Sequence, residues 1–482
     1  MTPIDASLRA PSAFFTILRQ ELVLLWRERS LPIVLLLLTA VLAGGLADGL
    51  QRIDQKDAQL ATIAAEQNKQ WDTIATMLKA AEEAKTPTPY ASPRVLGLSP
   101  ANRSVSLPTL PLAPLALGQS DLMPNLLHIS GYSEAQFLYD TDIENPWRLT
   151  SGQFDAAFVI VFLLPLLVFG LSYNLLSAER EQGTLRLLLA QRVSPASLAL
   201  GKGAARALAL AAPLLAAPLA ALLLFRPVAD ASALLADWLL WSTLALAYGL
   251  LWLALAVLVN SFGRSSAFNA LALVGAWVAI TLVAPITLNL VVDTIHPALS
   301  RAGMIELETE ATDESARRNA DLDRVDYSRK QRPADGSAPP SAMAMRGKNM
   351  QKEISERLRP WVEEYEARDQ TRRDFVDAFR ILSPAAAVLE GMSALAGTDA
   401  DRYARFRLAA AEFFRDKTER LQSRLESGVL VTEAEFRAAP RFEWNEDRRI
   451  LLLRGAWSLA QILVPTISIA AIALWRLRRI PV

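Results

Sequence analysis

The sequence predicts an all-α polytopic membrane protein: six transmembrane helices, an interfacial N-terminal helix, a short cytoplasmic helix between the second and third spans, and a helical extracytoplasmic domain. Three observations predict it. Six long apolar runs carry no charge away from their ends, basic residues gather in alternate loops, and two long polar segments with helical periodicity interrupt the spans.

The runs come first. Of 482 residues 52% are hydrophobic, and the mean hydropathy is +0.22, an excess that points to lipid exposure. A hydrocarbon core of about 30 Å takes roughly 20 apolar helical residues. Leu31 to Ala47, Ala156 to Leu176, Ala204 to Phe225, Trp238 to Val259, Ala267 to Val292 and Gly455 to Trp475 meet that need. They set the spans at 31–49, 155–176, 204–225, 237–260, 267–292 and 454–475. A charge at a span's centre costs roughly 2.5–3.5 kcal/mol on insertion scales. The third run is the weakest by pattern, because Pro213 and Pro218 interrupt it. Thirty residues precede the first run, which lacks an A-x-A-like exit, so it reads as a retained anchor rather than a cleaved signal.

The loops give the orientation. Arg9, Arg19, Arg27 and Arg29 precede the first span; Arg180, Arg186, Arg192, Lys202 and Arg206 follow the second; Arg264 lies between the fourth and fifth; and Arg476, Arg478 and Arg479 follow the sixth. The positive-inside rule puts both termini, 1–30 and 476–482, in the cytoplasm, and segments 50–154 and 293–453 outside. Trp147, Trp238, Trp241 and Trp475 sit near span ends, as interfacial aromatics do. Before the first span, Phe14, Leu18, Leu22 and Leu25 share one helical face, which predicts an amphipathic helix in the cytoplasmic interface.

Outside, Leu60, Ile63, Gln67, Trp71, Ile74 and Leu78 predict a helix to about Lys85. Eight prolines from Pro87 to Pro124 then predict an extended path. Its leucines, such as Leu107, Leu110 and Leu112, predict that it packs on something. In the second segment Ile354, Leu358, Trp361 and Tyr365, continued by Phe375, Phe379 and Leu382, line one helix; Phe406, Ala410, Phe413, Leu421 and Leu425 line another. Ser383-Pro384 reads as the N-cap and first-turn proline of a short helix through Leu395. Asp335-Gly336-Ser337 with Pro339-Pro340 reads as a turn or mobile loop. These helices are expected to form one extracytoplasmic bundle.

Several functions are excluded or disfavoured. Fifty basic against fifty acidic residues give no basic stripe for a nucleic acid. There is no cysteine, and His128 and His296 are the only histidines, so neither thiolate nor most histidine metal chemistry is available. No H-E-x-x-H or G-x-S-x-G supports a membrane-bound hydrolase. The polar residues in or beside spans, Asn174, Asn260, Asn269, Thr281, Asn289 and Asp293, are candidates to line a pathway, against the plainer role of helix-to-helix hydrogen bonding. By sequence only Asp155 and Asp293 qualify as ionisable groups at the membrane, both at span ends.

The most informative stretch is Ser177 to Lys202. Glu179 and Glu181 are expected to carry the second span into water, and Gly183 to break the helix, since glycine reaches φ > 0 cheaply. Thr184 to Leu189 makes a short amphipathic piece with Leu185, Leu188 and Leu189 to bury, and Ser194-Pro195 starts the next helix. Gly201-Lys202 is not a P-loop, because position 196 is Ala and Gly203 replaces the Ser/Thr.

On Glu181, Gly183, Thr184, Leu185, Gly201 and Lys202, this stretch resembles the coupling-helix segment of ABC-2-type ABC-transporter permeases, read as E-x-G-T-L, leucines, a small-residue turn and G-K. Gly152-Gln153-Phe154-Asp155 and Leu171 to Leu176 look like the subgroup with a large extracytoplasmic domain of unknown function. The resemblance implies an inner-membrane permease subunit that binds no cofactor itself. A separate ABC ATPase dimer, carrying ATP and Mg, would push on 179–191, through Glu179, Glu181, Gly183, Thr184, Leu185, Leu188 and Leu189. It also implies a second permease subunit, identical or not, and transport of an unidentified substrate, with export the direction expected. The competing possibility is a non-translocating subunit that transmits ATP-driven work to a periplasmic partner.

The missing cysteines make the topology directly testable. A Ser337→Cys variant is expected to react with a membrane-impermeant maleimide in intact spheroplasts; labelling only after lysis would overturn the orientation.

Overall fold

The computed structural model describes residues 13–85, 88–91, 104–118, 120, 123, 125–127, 154–190, 193–226, 230–318, 342–427 and 430–479. His128, Trp147, Gly152-Gln153 and the turn around Ser337 lie outside them. Among the described residues six helices are long and apolar enough to cross a membrane, and the only sheet is a two-residue pairing, Val105 with Leu127 and Ser106 with Leu126. The protein is an all-α polytopic membrane protein.

Helix α1 (Ala13–Arg27) is separate from α2 (Ser30–Ala84), because the chain turns at Arg29 in the left-handed region, φ 61°. Its packed face holds Phe14, Ile17, Leu18, Leu22 and Leu25, as the spacing predicts, but also Glu21. Its other side leaves Phe15, Leu24 and Trp26 exposed.

The first span and the outer helix predicted to Lys85 are one 55-residue helix, about 80 Å long at 1.5 Å per residue. Leu38, Leu42, Leu46 and Ile53 bury one stripe of it; Trp71, Ile74, Ala75 and Leu78 bury another near its tip. It ends at Lys85, φ 52°, whose N–H bonds the carbonyls of Ala81 and Glu82. Within the first stripe the proline-rich segment packs directly on the helix. A Cβ on Gly49 would lie 2.0 Å from the carbonyl oxygen of Pro114, so only glycine admits that backbone. Where it is described, that segment is packed, as expected, with Leu107, Leu112, Leu115 and Leu117 all buried, but it includes 3-10 turns at Pro89–Ala91 and Ala113–Leu115 rather than a wholly extended path.

Helix α3 (Ala156–Glu181) begins on Asp155, whose carboxylate accepts the N–H of Phe158 at 2.7 Å and of Leu117 at 2.6 Å. It contains a π turn, Val159–Leu163, just before Pro165. Proline has no N–H for the carbonyl four residues back. That carbonyl, of Val161, accepts the Tyr248 hydroxyl at 3.0 Å instead. After α4 (Leu185–Ala190), α5 (Pro195–Phe225) is one unbroken helix despite Pro213 and Pro218; neighbouring helices let a span tolerate the freed carbonyls. Central α6 (Ala231–Ser261) buries Trp241, Tyr248 and Trp252. Helix α7 (Ser266–Ile295) repeats the α3 pattern, a π turn at Val278–Val283 followed by Pro285, and is the least covered span.

The distal segment does not form the single bundle expected. Helices α8 (Arg301–Arg318) and α9 (Ala342–Phe379) pair around Met304, Ala311, Ile354 and Leu358. Helix α10 (Pro384–Ala396) carries the predicted Ser383 cap, but joins the span core, wedged between α6 and α13 (Arg448–Arg478). There a Cβ on Gly391 would stand 2.5 Å from the Ser458 Cβ. Helix α11 (Ala400–Ser427) covers the strand pair with Phe406, Ala410 and Phe414. Helix α12 (Glu433–Arg437) stacks Phe436 on Trp71, centroids 4.1 Å apart. Each piece is too small to close a core on its own, so each uses a different support: a partner helix, the α2 tip, or the spans.

Gly49→Val should force α2 off the proline-rich segment, costing about 1–3 kcal/mol as overpacking does; a detergent melt that left the midpoint unchanged would contradict the close approach.

Candidate functional site

The basal end, where α1, α4 and the end of α13 meet, is built on Leu175, Leu176, Leu198, Ala199 and Leu477, with Ile17, Leu185 and Leu188 packed against them. The second span stops as the residues predict. Gly183 has φ 73° and open space where a Cβ would stand, so its conformation alone favours glycine. The Thr184 hydroxyl donates to the Glu179 carbonyl at 3.2 Å across this turn. Ser194 accepts the Ser197 N–H at 3.0 Å and Pro195 opens α5.

On α4 the leucines divide. Leu185 and Leu188 are partly buried under the loop, while Leu187 is 69% exposed. The side chain of Leu189, and residues 191–192, lie outside the described residues.

Glu179 does not extend into water, as the sequence suggested. Its carboxylate pairs with Lys202, whose Nζ is also 3.4 Å from Glu21. Glu21 in turn meets Arg206 at 2.8 Å, and Arg206 donates to the carbonyls of Leu171 at 2.5 Å and Lys202 at 2.9 Å. Lys202, Arg206 and Glu21 are 6%, 3% and 6% exposed, so the expectation that ionisable groups sit only at Asp155 and Asp293 fails here. Two cations and two carboxylates neutralise one another where burial makes a lone charge costly. The cluster ties α1, α3 and α5 together. Gly201 lets α1 approach α5: a Cβ there would stand 2.7 Å from Ile17 Cγ2.

Glu181 is exposed but engaged, accepting the Ser266 N–H at 2.7 Å and its hydroxyl at 3.0 Å, which caps α7 from the end of α3. Beneath it, Asn260 donates to Ser172 O at 3.1 Å and accepts Leu176 N–H at 3.1 Å. Asn269 donates to Tyr173 O at 3.2 Å and to Asn260 at 3.2 Å. These two asparagines supply donors and acceptors to the non-helical turn 173–176 of α3. Asn174 is half-buried, Asn289 is exposed on α7, and Asp293 pairs with Arg372 of α9 at 2.6 Å. The candidate pathway residues therefore do not converge on one cavity.

At the distal end Arg454 of α13 reaches Glu390 on α10, Asp399 at 3.6 Å, and Asp401. Arg373 of α9 meets Asp401 at 3.0 Å. Burial raises the Asp399 carboxyl above its usual range. Among the described residues no group of acidic or histidine side chains could hold a metal ion.

A family model described as ABC-2 family transporter protein matches residues 15–479. No curated protein matches the chain.

Glu21→Gln would leave two buried cations facing one carboxylate, a loss of about 3–5 kcal/mol. The expected result is a lower melting midpoint in detergent, partly regained by adding Arg206→Met; an unchanged midpoint for the single variant would contradict a buried cluster.

Proposed function

Because the chain belongs to the ABC-2 transporter family, as a permease subunit that works with an ABC ATPase, we propose that the ATPase docks on α4 and drives this subunit through the basal cluster. The observation that carries the proposal is Leu187, 69% exposed on a six-residue helix on which Leu185 and Leu188 are taken up by packing. An exposed leucine on a rigidly seated short helix is a plug for an apolar socket.

The seating explains how a push would travel. Gly183 sets α4 across the end of α3, and Thr184 steadies the turn. Force on α4 reaches α3 directly, α5 and α1 through Glu179, Lys202, Glu21 and Arg206, and α7 through Glu181 and Ser266. ATP and Mg belong to the ATPase partner, which acts as a dimer; this chain hydrolyses nothing and binds no cofactor. Two permease subunits, identical or not, pair in the bacterial inner membrane with both termini cytoplasmic, and the distal domain outside. Rocking of their spans moves substrate outward along a path between subunits.

One observation favours the second reading, in which work is delivered to a periplasmic partner without translocation. Asn260 and the amide nitrogen of Asn269 are engaged in hydrogen bonds between helices. The distal domain is clamped to the spans by α10 and Arg454, so span motion would move it. Transport by reconstituted liposomes, or its absence while ATPase coupling persists, separates the two.

Leu187→Asp is expected to leave the permease folded, because the side chain is 69% exposed, and to lower permease-stimulated ATP hydrolysis at least tenfold in the co-expressed complex. Full stimulation by that variant would refute docking at α4.

A further inference from the structure

At the basal end three arginines from three elements gather on one short turn, 262–265, which links α6 to α7. Gly263 takes φ 70° there. A Cβ on it would stand 2.6 Å from Nη1 and 3.1 Å from Cζ of Arg180, so the guanidinium from the end of α3 lies directly on the turn. Arg476 comes from the last turn of α13, its Cζ 4.0 Å from the centre of the Phe262 ring. Arg264 belongs to the turn itself and reaches over Phe268, its Cζ 5.9 Å from that ring's centre.

The carboxylates that flank Arg180 in the chain are committed elsewhere. Glu179 pairs with Lys202, and Glu181 accepts both the N–H and the hydroxyl of Ser266. None of the three arginines forms an ion pair among the described residues, and Nη1 of Arg180 and Nε of Arg476 are shut off from solvent without an acceptor there. Three like charges at one turn repel one another, and the stacking of Arg476 on Phe262 offsets only part of that cost. A guanidinium fork matches phosphate oxygens in geometry as well as in charge.

The level of the turn says where such an anion comes from. Phe262 and Trp475 close their spans and are both exposed, the placement of aromatic residues between acyl chains and head groups. We propose that Arg180, Arg264 and Arg476 form a binding site for the phosphate head group of an anionic phospholipid from the leaflet at the basal end. Bound there, the phosphate ties the ends of α3, α7 and α13 to one another. The site makes no use of Leu187 and is independent of ATPase docking at α4.

The test titrates the purified full chain in detergent with phosphatidylglycerol or phosphatidylcholine and counts bound lipids by native mass spectrometry. Phosphatidylglycerol should bind saturably and the more tightly of the two. Arg180→Gln combined with Arg264→Gln should weaken its binding about tenfold, as loss of two surface cations does, and leave phosphatidylcholine binding unchanged. Arg264→Gln alone, at an exposed position, should weaken it about threefold, so the result does not hang on the double variant folding. Arg27→Gln, on an exposed arginine of α1 at the same end, should bind phosphatidylglycerol as the unsubstituted protein does. Equal weakening by Arg27→Gln would overturn the site, leaving only diffuse attraction to a basic surface. Equal binding of the two lipids would overturn the anionic head group, and equally tight binding of glycerol phosphate would overturn the lipid as occupant. So would loss of ATPase co-purification from the double variant with its lipid binding intact, which would give the turn to carboxylates of the ATPase.

Discussion

Lys202 and Arg206 stand one turn apart on the same face of α5, and neither can be left there without a counter-charge. A buried, unpaired cation costs several kcal/mol, so the rest of the basal end is arranged to bring carboxylates to them. Glu179 comes from the last turn of α3, and Glu21 from the middle of α1. That requirement brings α1 against α5, explains why Gly201 must be small, and anchors the last turn of α3 just before the Gly183 turn. The balanced charges of Glu21, Glu179, Lys202 and Arg206 join the three helices at the basal end. Arg206 also donates from Nε to the Leu171 carbonyl and from Nη1 to the Lys202 carbonyl, which ties its guanidinium to α3 and to its own helix as well as to Glu21.

The sequence disclosed whatever depends on near neighbours. All six spans, the Ser194-Pro195 and Ser383-Pro384 starts and the Gly183 turn follow from local patterns, and the structure has each of them. What it concealed depends on partners far along the chain. Glu21 and Arg206 are 185 residues apart, and by pattern Glu21 was only a polar residue on an amphipathic helix. The continuity of α2 was hidden because Asp48 ends the apolar run without ending the helix. The expectation of one distal bundle failed because periodicity identifies a face to be buried, not what buries it: α10 turned inward to the spans and α8 with α9 closed on each other. The division of labour among the α4 leucines was illegible for the same reason, since Leu185, Leu187 and Leu188 are alike until their neighbours are known.

Helices α3 and α7 share a device no periodicity reveals: a π turn followed immediately by proline, at Pro165 and Pro285. In each, a carbonyl of the preceding turn finds a donor from another element: Tyr248 for Val161 and, at a longer 3.5 Å, Ser383 for Ile280. The widened turns are thus held by side chains of α6 and of the α10 cap. Irregular turns of this kind often accompany function, and here they fall in the two spans that Glu181 and Ser266 join at the basal end.

A single uninterrupted rod of 55 residues enters the bilayer at Ser30 and finishes at Ala84. From Gly49 to the tip it projects about 52 Å, so a tilt of only 10° at the bilayer would sweep its end sideways by about 9 Å. Phe436, stacked on Trp71, would be carried along. Small angular work done within the lipid is thereby magnified into displacements as wide as a helix, at a distance where no lipid reaches.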